Sequence, residues 1–139
     1  AGVNNTFALA LLAEIYLRQE RLSEGLAVIE DAQKMAVTQG ELFWQAELFR
    51  LKGEFLLGQT DQSLNESAQC FCKALEIARS QNAKMLELRA ATSLARLWKK
   101  LNKLDDAKSI LNSVYSGFTE GFGSRDLLEA KTLLEQLTA

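Results

Sequence analysis

Apolar residues recur at helical spacing along nearly the whole of this chain. In the stretch TFALALLAEIYLRQE, four of them fall at positions i, i+3, i+4 and i+7, which lie on one face of a helix. These four residues are Leu9, Leu12, Ala13 and Tyr16. The same spacing returns in six later segments, so the pattern predicts seven helices and an all-α fold.

Short turn segments separate the predicted helices, and two helices joined by a short turn pack as an antiparallel hairpin. The chain of 139 residues is therefore expected to be one domain, 1–139, with three hairpins and a terminal helix. The hairpins span about 6–40, 42–81 and 83–117, and the terminal helix spans about 124–138. Ser23 is the expected cap of the second helix, and Gly40 and Gly58 are the expected ends of the second and third.

Small residues recur at equivalent places in the three hairpins, as they do in helical repeat proteins. One set lies in the first helix of each hairpin, at steps of 40 and then 42 residues, and another lies in the second helix. Small side chains allow two helices to approach closely, and large neighbours fill the groove between them. The two sets are Ala13, Gly53 and Ala95, and Gly25, Ser67 and Ala107.

The spacing of small and aromatic residues resembles the tetratricopeptide repeat. The segments AEIY with GLAVIEDA, GEFL with SAQCFCKA, and ARLW with AKSILNSV fit the frame of that repeat. The sequence departs from the frame at Lys52, where an apolar residue is usual, and at Val114, which replaces the last alanine. The resemblance implies a right-handed superhelix of three antiparallel hairpins with a C-terminal capping helix.

Two further stretches, ARSQNAKMLELRAATSLARLW and FTEGF, resemble the C-terminal helical repeats of large bacterial signalling proteins. In those proteins an adenylate or guanylate cyclase domain, or a winged-helix DNA-binding domain, precedes an ATPase module and a repeat tail. The resemblance implies that this chain is a cytoplasmic regulatory tail, a fragment of a larger signalling ATPase, cyclase or transcriptional regulator. No position of the chain matches a cyclase or ATPase motif.

Composition argues against catalysis and against a membrane or nucleic-acid ligand. The chain has no histidine, which is the commonest general base and metal ligand, so no enzyme activity, cofactor or metal is expected. The formal net charge of −2 gives no general attraction to nucleic acid or to anionic lipid. The longest apolar run, FALALLA, has seven residues, which is too few to span a bilayer.

The two cysteines, Cys70 and Cys72, are two positions apart in a predicted helix. Residues at this spacing point about 200° apart around the helix axis, so the thiols cannot bind one metal or form a disulfide with each other. We expect two free thiols at the core or its boundary, which fits a reducing cytoplasm.

The glycine-rich segment VYSGFTEGFGSRD invites comparison with a phosphate-binding loop. It has no lysine, it follows a helix instead of a strand, and it places Glu120 where phosphate would be repelled. We therefore interpret it as a turn that ends the sixth helix at Gly117 and is anchored by two aromatic rings. The remaining expected roles are anchoring by Phe118 and Phe122, positive φ at Gly121 and Gly123, and an N-cap at Ser124.

The first helix of each hairpin is expected to line the concave side of a curved stack. Its exposed positions form a groove of alternating charge, which suits a peptide or a helix. We predict a non-catalytic scaffold that binds another protein, or the upstream domains of its own parent, in this groove. The alternative is a sensor domain with a small effector in the same groove. The candidate residues are Arg18, Gln45, Glu47, Arg50, Lys52, Glu87, Arg89 and Thr92.

Two other surfaces carry expectations of their own. The outer face of the first helix, with Phe7, Leu11 and Ile15, is expected to continue into earlier repeats or to pair with another copy. The stretch from Lys84 to Lys108 has seven basic and three acidic residues. It is interpreted as a solvated face with cations near a helix end, and an acidic protein surface is preferred to DNA as its ligand.

Overall fold

The computed structural model describes residues 6–59 and 63–138. Over these residues it contains seven α-helices and no β-strand, which confirms the all-α prediction. Residues 60–62, in the predicted turn after the third helix, lie outside the described part. The helices are α1 (Thr6–Arg18), α2 (Leu22–Gln39), α3 (Gln45–Gln59), α4 (Leu64–Ser80), α5 (Lys84–Lys100), α6 (Leu104–Tyr115) and α7 (Arg125–Thr138).

The helices pack in a regular order. Each helix contacts the next one in the chain, and the odd-numbered helices also contact one another in the sequence α1, α3, α5, α7. Within the described residues, no comparable contact joins α2 to α4 or α4 to α6. The odd-numbered helices therefore form a continuous row, whereas each even-numbered helix is held only by its odd-numbered neighbours.

Four helices, α1, α2, α4 and α5, end in the same backbone turn. A residue with positive φ lies one or two positions after each helix end, and the following N–H donates to the carbonyl oxygen five residues back. In one such turn the N–H of Lys103 lies 2.7 Å from the Trp98 oxygen. The positive-φ residues are Glu20, Gly40, Asn82 and Asn102.

This turn explains how the short connections are fixed, and it corrects one predicted cap. Gly40, with φ of 68°, ends α2 as predicted. The prediction for Ser23 was wrong, because the turn that ends α1 already places Arg21 at the start of α2 and leaves Ser23 inside the helix. Gly58 also lies inside its helix, since α3 continues to Gln59.

The glycine-rich segment forms a turn between α6 and α7. Ser124 caps α7 as predicted, with its Oγ 3.4 Å from the backbone nitrogen of Leu127. Gly121 has φ of 78°, as expected, whereas Gly123 does not have positive φ. Phe118 packs against the core, but Phe122 is 44% exposed and lies beside the ring of Tyr115. Only one of the two predicted aromatic anchors therefore packs against the core, and it is partly buried.

The close approach of helices depends on the small residues that repeat along the sequence. All six of them are buried. A Cβ atom added at Gly53 would lie 2.5 Å from the ring of Phe71, and one added at Gly25 would overlap the ring of Phe55. Both phenylalanines are fully buried and have no space to move away.

We predict that Gly53→Ala and Gly25→Ala each lower the free energy of unfolding by about 1–3 kcal/mol through overpacking. Alanine favours the helix by about 1 kcal/mol over glycine, so a loss of stability would show that steric overlap dominates. Urea unfolding followed by circular dichroism measures the effect.

The matched control is Gly123→Ala, because no atom lies within 4 Å of a Cβ added at Gly123 and its φ is not positive. This variant should be as stable as the wild type. Equal stability of Gly53→Ala and Gly123→Ala would contradict the packing argument.

Candidate interaction groove

The odd-numbered helices line a groove of about 460 Å³. Helices α3 and α5 form its floor, and α1 and α7 contribute its two sides. The groove is strongly charged, with five arginines and four carboxylates along it. The arginines are Arg18, Arg50, Arg89, Arg96 and Arg125, and the acids are Glu14, Glu54, Asp126 and Glu129.

A buried carboxylate lies beside two of the arginines that line this groove. Glu47 is only 5% exposed and accepts hydrogen bonds from two arginines. Arg50, one helical turn further along α3, donates from Nε to Oε1 at 2.6 Å and from Nη2 to Oε2 at 3.2 Å. Arg89 of α5 donates from Nη1 to Oε2 at 2.8 Å. Glu47 therefore joins α3 to α5 through charged hydrogen bonds.

The same network continues to α7. Nε of Arg89 lies 2.8 Å from Oδ2 of Asp126, so one guanidinium bridges two carboxylates on different helices. Nη1 of Arg50 lies 3.4 Å from the hydroxyl oxygen of Ser93, which adds a second link between α3 and α5. A continuous chain of polar contacts thus ties three odd-numbered helices together along the groove floor.

Glu47 and Arg50 each favour the charged form of the other. Burial raises the pKa of the Glu47 carboxyl, but Arg50 and Arg89 together lower it by more, so that its pKa lies below the ordinary range. Burial lowers the pKa of the Arg50 guanidinium, and Glu47 raises it by more. Each buried charge is stabilised by the opposite charge beside it.

A second, more exposed cluster lies where α5 and α7 meet. Glu129 accepts from Nη2 of Arg96 at 3.2 Å and from Nε of Arg125 at 3.0 Å. Burial raises the pKa of Glu129, and the two arginines lower it by more. All three side chains are more than 40% exposed. Glu47 and Glu129 are thus two carboxylates with two arginine partners each, one buried and one at the surface.

The structure separates the eight candidate residues into two groups. Arg18, Arg50, Arg89 and Thr92 line the groove, and Glu47 does not line it but is bonded to Arg50 and Arg89. Thr92 is buried, with its hydroxyl donating to the carbonyl oxygen of Leu88. The other three candidates, Gln45, Lys52 and Glu87, do not line the groove.

Helix geometry explains this separation. Lys52 is two residues from Arg50, so it points to the opposite side of α3, towards a groove that contains Cys70 of α4. Glu87 is likewise two residues from Arg89, and it pairs with Arg79 of α4 at 2.7 Å. A helix cannot direct side chains at i and i+2 into one groove.

Seven polar residues of the groove were not predicted from the sequence. Arg96 follows Arg89 by seven positions and Ser93 follows it by four, so helical periodicity alone could have identified both. The three residues from α7 carried no such signal, because the terminal helix was treated as a cap outside the hairpins. The residues missed are Glu14, Glu54, Ser93, Arg96, Arg125, Asp126 and Glu129.

An apolar pocket of about 480 Å³ adjoins the charged groove and shares Glu14 and Arg89 with it. Its aromatic wall is formed by Phe7 and Trp44, whose ring centroids are 4.8 Å apart, and by Phe43, whose ring meets Trp44 edge-on. The third helix was expected to include Phe43 and Trp44, but α3 begins at Gln45, so both lie in the loop before it.

The outer face of α1 is apolar and exposed, as its sequence indicated. Phe7 is 42% exposed, Leu11 is 46% exposed and Ile15 is 50% exposed. Within the described residues, α1 contacts α2 and α3. Phe7 and Leu11 also line the apolar pocket, so this face and the pocket form one surface.

The two cysteines have different surroundings and remain free thiols. Cys70 is partly buried, Cys72 is exposed, and burial raises the pKa of both. No group of three or more potential metal ligands occurs among residues 6–59 and 63–138. Over the same residues, no helix is both long enough and apolar enough to cross a membrane.

Comparisons with protein-family models, with curated proteins and with solved structures gave no match.

We predict that Glu47→Gln lowers the free energy of unfolding by about 3 kcal/mol at neutral pH, because it leaves Arg50 without a charged partner in a buried site. The matched control is Glu129→Gln, which also removes a carboxylate from between two arginines but at the surface. That change should cost less than about 1 kcal/mol. Urea unfolding of the two variants gives the comparison.

The pH dependence provides a further check. Because its pKa is lowered on folding, Glu47 contributes stability above the pKa of an unfolded glutamate, about 4.3. That contribution is lost as the pH falls through the lower pKa of the folded state. The difference between wild type and Glu47→Gln should therefore shrink in acid. A difference that is unchanged at low pH, or equal losses in the two variants, would contradict the role assigned to Glu47.

Proposed function

We propose that this chain is a tetratricopeptide-like scaffold that binds a protein segment in the charged groove. The single observation that carries the proposal is that four helices, distant in sequence, supply the lining of one groove. The groove presents alternating charges to solvent, and Arg18 and Glu54 line it without a hydrogen bond to the Glu47 network. Such a surface suits a polar peptide or the polar face of a helix.

The proposal also includes the arrangement of the helices as repeats. Three observations support a right-handed superhelix of hairpins: the continuous row of odd-numbered helices, the buried small residues at equivalent positions, and the recurrent turn at helix ends. In that arrangement α7 covers the last hairpin, and the row of odd-numbered helices is the concave side. Repeat scaffolds commonly use this side for binding.

The proposed context is the C-terminal regulatory tail of a bacterial signalling ATPase, cyclase or transcriptional regulator in the cytoplasm. The resemblance of ARSQNAKMLELRAATSLARLW and FTEGF to such tails supports this context. The partner is then a separate protein or an upstream domain of the same parent. We assign no catalytic role to the chain itself.

A second candidate function is the sensing of a small effector. The apolar pocket beside the groove supports it, because about 480 Å³ is within the range of small-molecule sites and Trp44 and Phe7 offer aromatic surfaces. A saturable increase in melting temperature with a nucleotide or sugar, lost in Trp44→Ala, would favour this function over the scaffold.

The test of the scaffold needs variants that leave the fold intact. Arg50 and Arg89 are unsuitable, because their removal would leave the buried carboxylate of Glu47 without its charged partners. We choose instead Arg18→Gln with Glu54→Gln, two residues that line the groove outside that network. The control is Lys34→Gln with Glu30→Gln on the exposed face of α2, which also removes one charge of each sign.

The domain is used as bait in lysate of the source cells, and the affinity of each captured protein is then measured by calorimetry with purified components. The same assay is run with the parent's upstream fragment. We expect about tenfold weaker binding for the groove variant and unchanged binding for the control. Equal affinity of both variants for every partner would overturn the groove as the binding site.

A further inference from the structure

A second cleft, of about 840 Å³, lies between the C-terminal half of α5 and α7. It joins the charged groove at Arg96, Arg125 and Glu129, which line both. It also contains Lys99 and Lys100 from the last turn of α5. We call this cleft, with its four cations and Glu129, the basic cleft.

The basic cleft has an excess of positive charge in a chain that is acidic as a whole. Four cations face one carboxylate, which gives 4 − 1 = +3, whereas the net charge of the chain is −2. Arg96 and Arg125 share the single carboxylate of Glu129. Lys99 donates to the neutral amide oxygen of Gln136 at 3.0 Å. Over the described residues, neither Lys99 nor Lys100 forms an ion pair with a carboxylate.

Helix ends explain only part of this excess. Lysines in the last turn of α5 are favoured by the negative end of the helix dipole. Arg125 is at the first position of α7, where the dipole is positive and a cation is unfavourable. The helix dipole therefore does not account for its position in the basic cleft, and the N-terminus of α7 adds further positive potential there.

The basic cleft also has an apolar side. Leu128 lies in it, on α7, and is 50% exposed. No aromatic side chain is among the residues that line the cleft, so it lacks the aromatic surface on which nucleic-acid bases commonly stack. The combination of ammonium and guanidinium groups with one exposed aliphatic side chain matches carboxylates that flank an aliphatic residue.

We propose that the basic cleft binds an acidic segment of a partner protein, with its carboxylates on Lys99, Lys100 and Arg125 and an aliphatic side chain against Leu128. This inference rests on the proposed scaffold function and names the chemistry of the segment that the scaffold recognises. Because the cleft continues into the charged groove, an extended segment reaches both.

Selection from a displayed library of random short peptides tests the ligand chemistry, with the whole chain as bait. Peptides rich in Asp and Glu with an aliphatic residue among them should be enriched. A synthetic copy of the most enriched peptide should bind about tenfold more weakly to Lys99→Gln with Lys100→Gln than to the wild type. Binding should also weaken as the salt concentration rises.

The matched control is Lys103→Gln with Lys108→Gln, which removes the same charge from exposed residues outside the basic cleft. This variant should bind the peptide as the wild type does. Equal weakening in both variants would overturn the proposal, since only the general charge of the domain would then matter. Enrichment of neutral or basic peptides would also overturn the proposal. So would a single-stranded oligonucleotide that binds through Lys99 and Lys100 more tightly than any selected peptide does.

Failure of this inference is distinguishable from failure of the scaffold. If captured partners lose affinity with Arg18→Gln and Glu54→Gln but not with Lys99→Gln and Lys100→Gln, the groove remains the binding site and only the acidic ligand is wrong. If neither pair of changes affects any partner, both proposals are wrong.

Discussion

The arrangement of the odd-numbered helices depends on one buried carboxylate. Glu47 is almost inaccessible to water, and an unpaired carboxylate in that place would strongly destabilise the fold. Its charge is compensated by Arg50 from its own helix and by Arg89 from the next one in the row. Since Arg89 also binds Asp126, the requirement to compensate Glu47 fixes the positions of three helices relative to each other. The floor of the groove is therefore set by electrostatics as well as by apolar packing.

Apolar packing fixes the other dimension, the distance between successive helices. Phe55 and Phe71 occupy the spaces left by Gly25 and Gly53, so each ring lies directly against the backbone of a neighbouring helix. Ion pairs thus position the odd-numbered helices along their row, and aromatic rings set the distance between successive helices. Together they determine where the groove and the basic cleft lie.

Periodicity and small residues were sufficient to predict the helices and their pairing order, because both follow from local spacing. The exact site could not be predicted in the same way. Pairs such as Arg50 and Lys52 are close in sequence but lie on opposite sides of α3, and assigning a side requires the rotation of the helix about its axis. The contribution of Asp126 depends on a contact with Arg89, 37 residues away, that no local pattern records. Asn82 and Asn102, by contrast, are residue types that tolerate positive φ and could have marked the turns.

The absence of contact between even-numbered helices, within the described residues, has a mechanical consequence. Bending the stack compresses the row of odd-numbered helices, in which ion pairs join α3, α5 and α7, whereas the even-numbered helices have no contact with one another to resist it. The side formed by the odd-numbered helices should therefore resist bending more than the side formed by the even-numbered helices. A load applied at either end would be converted into a change of curvature, and hence into a change in the width of the groove.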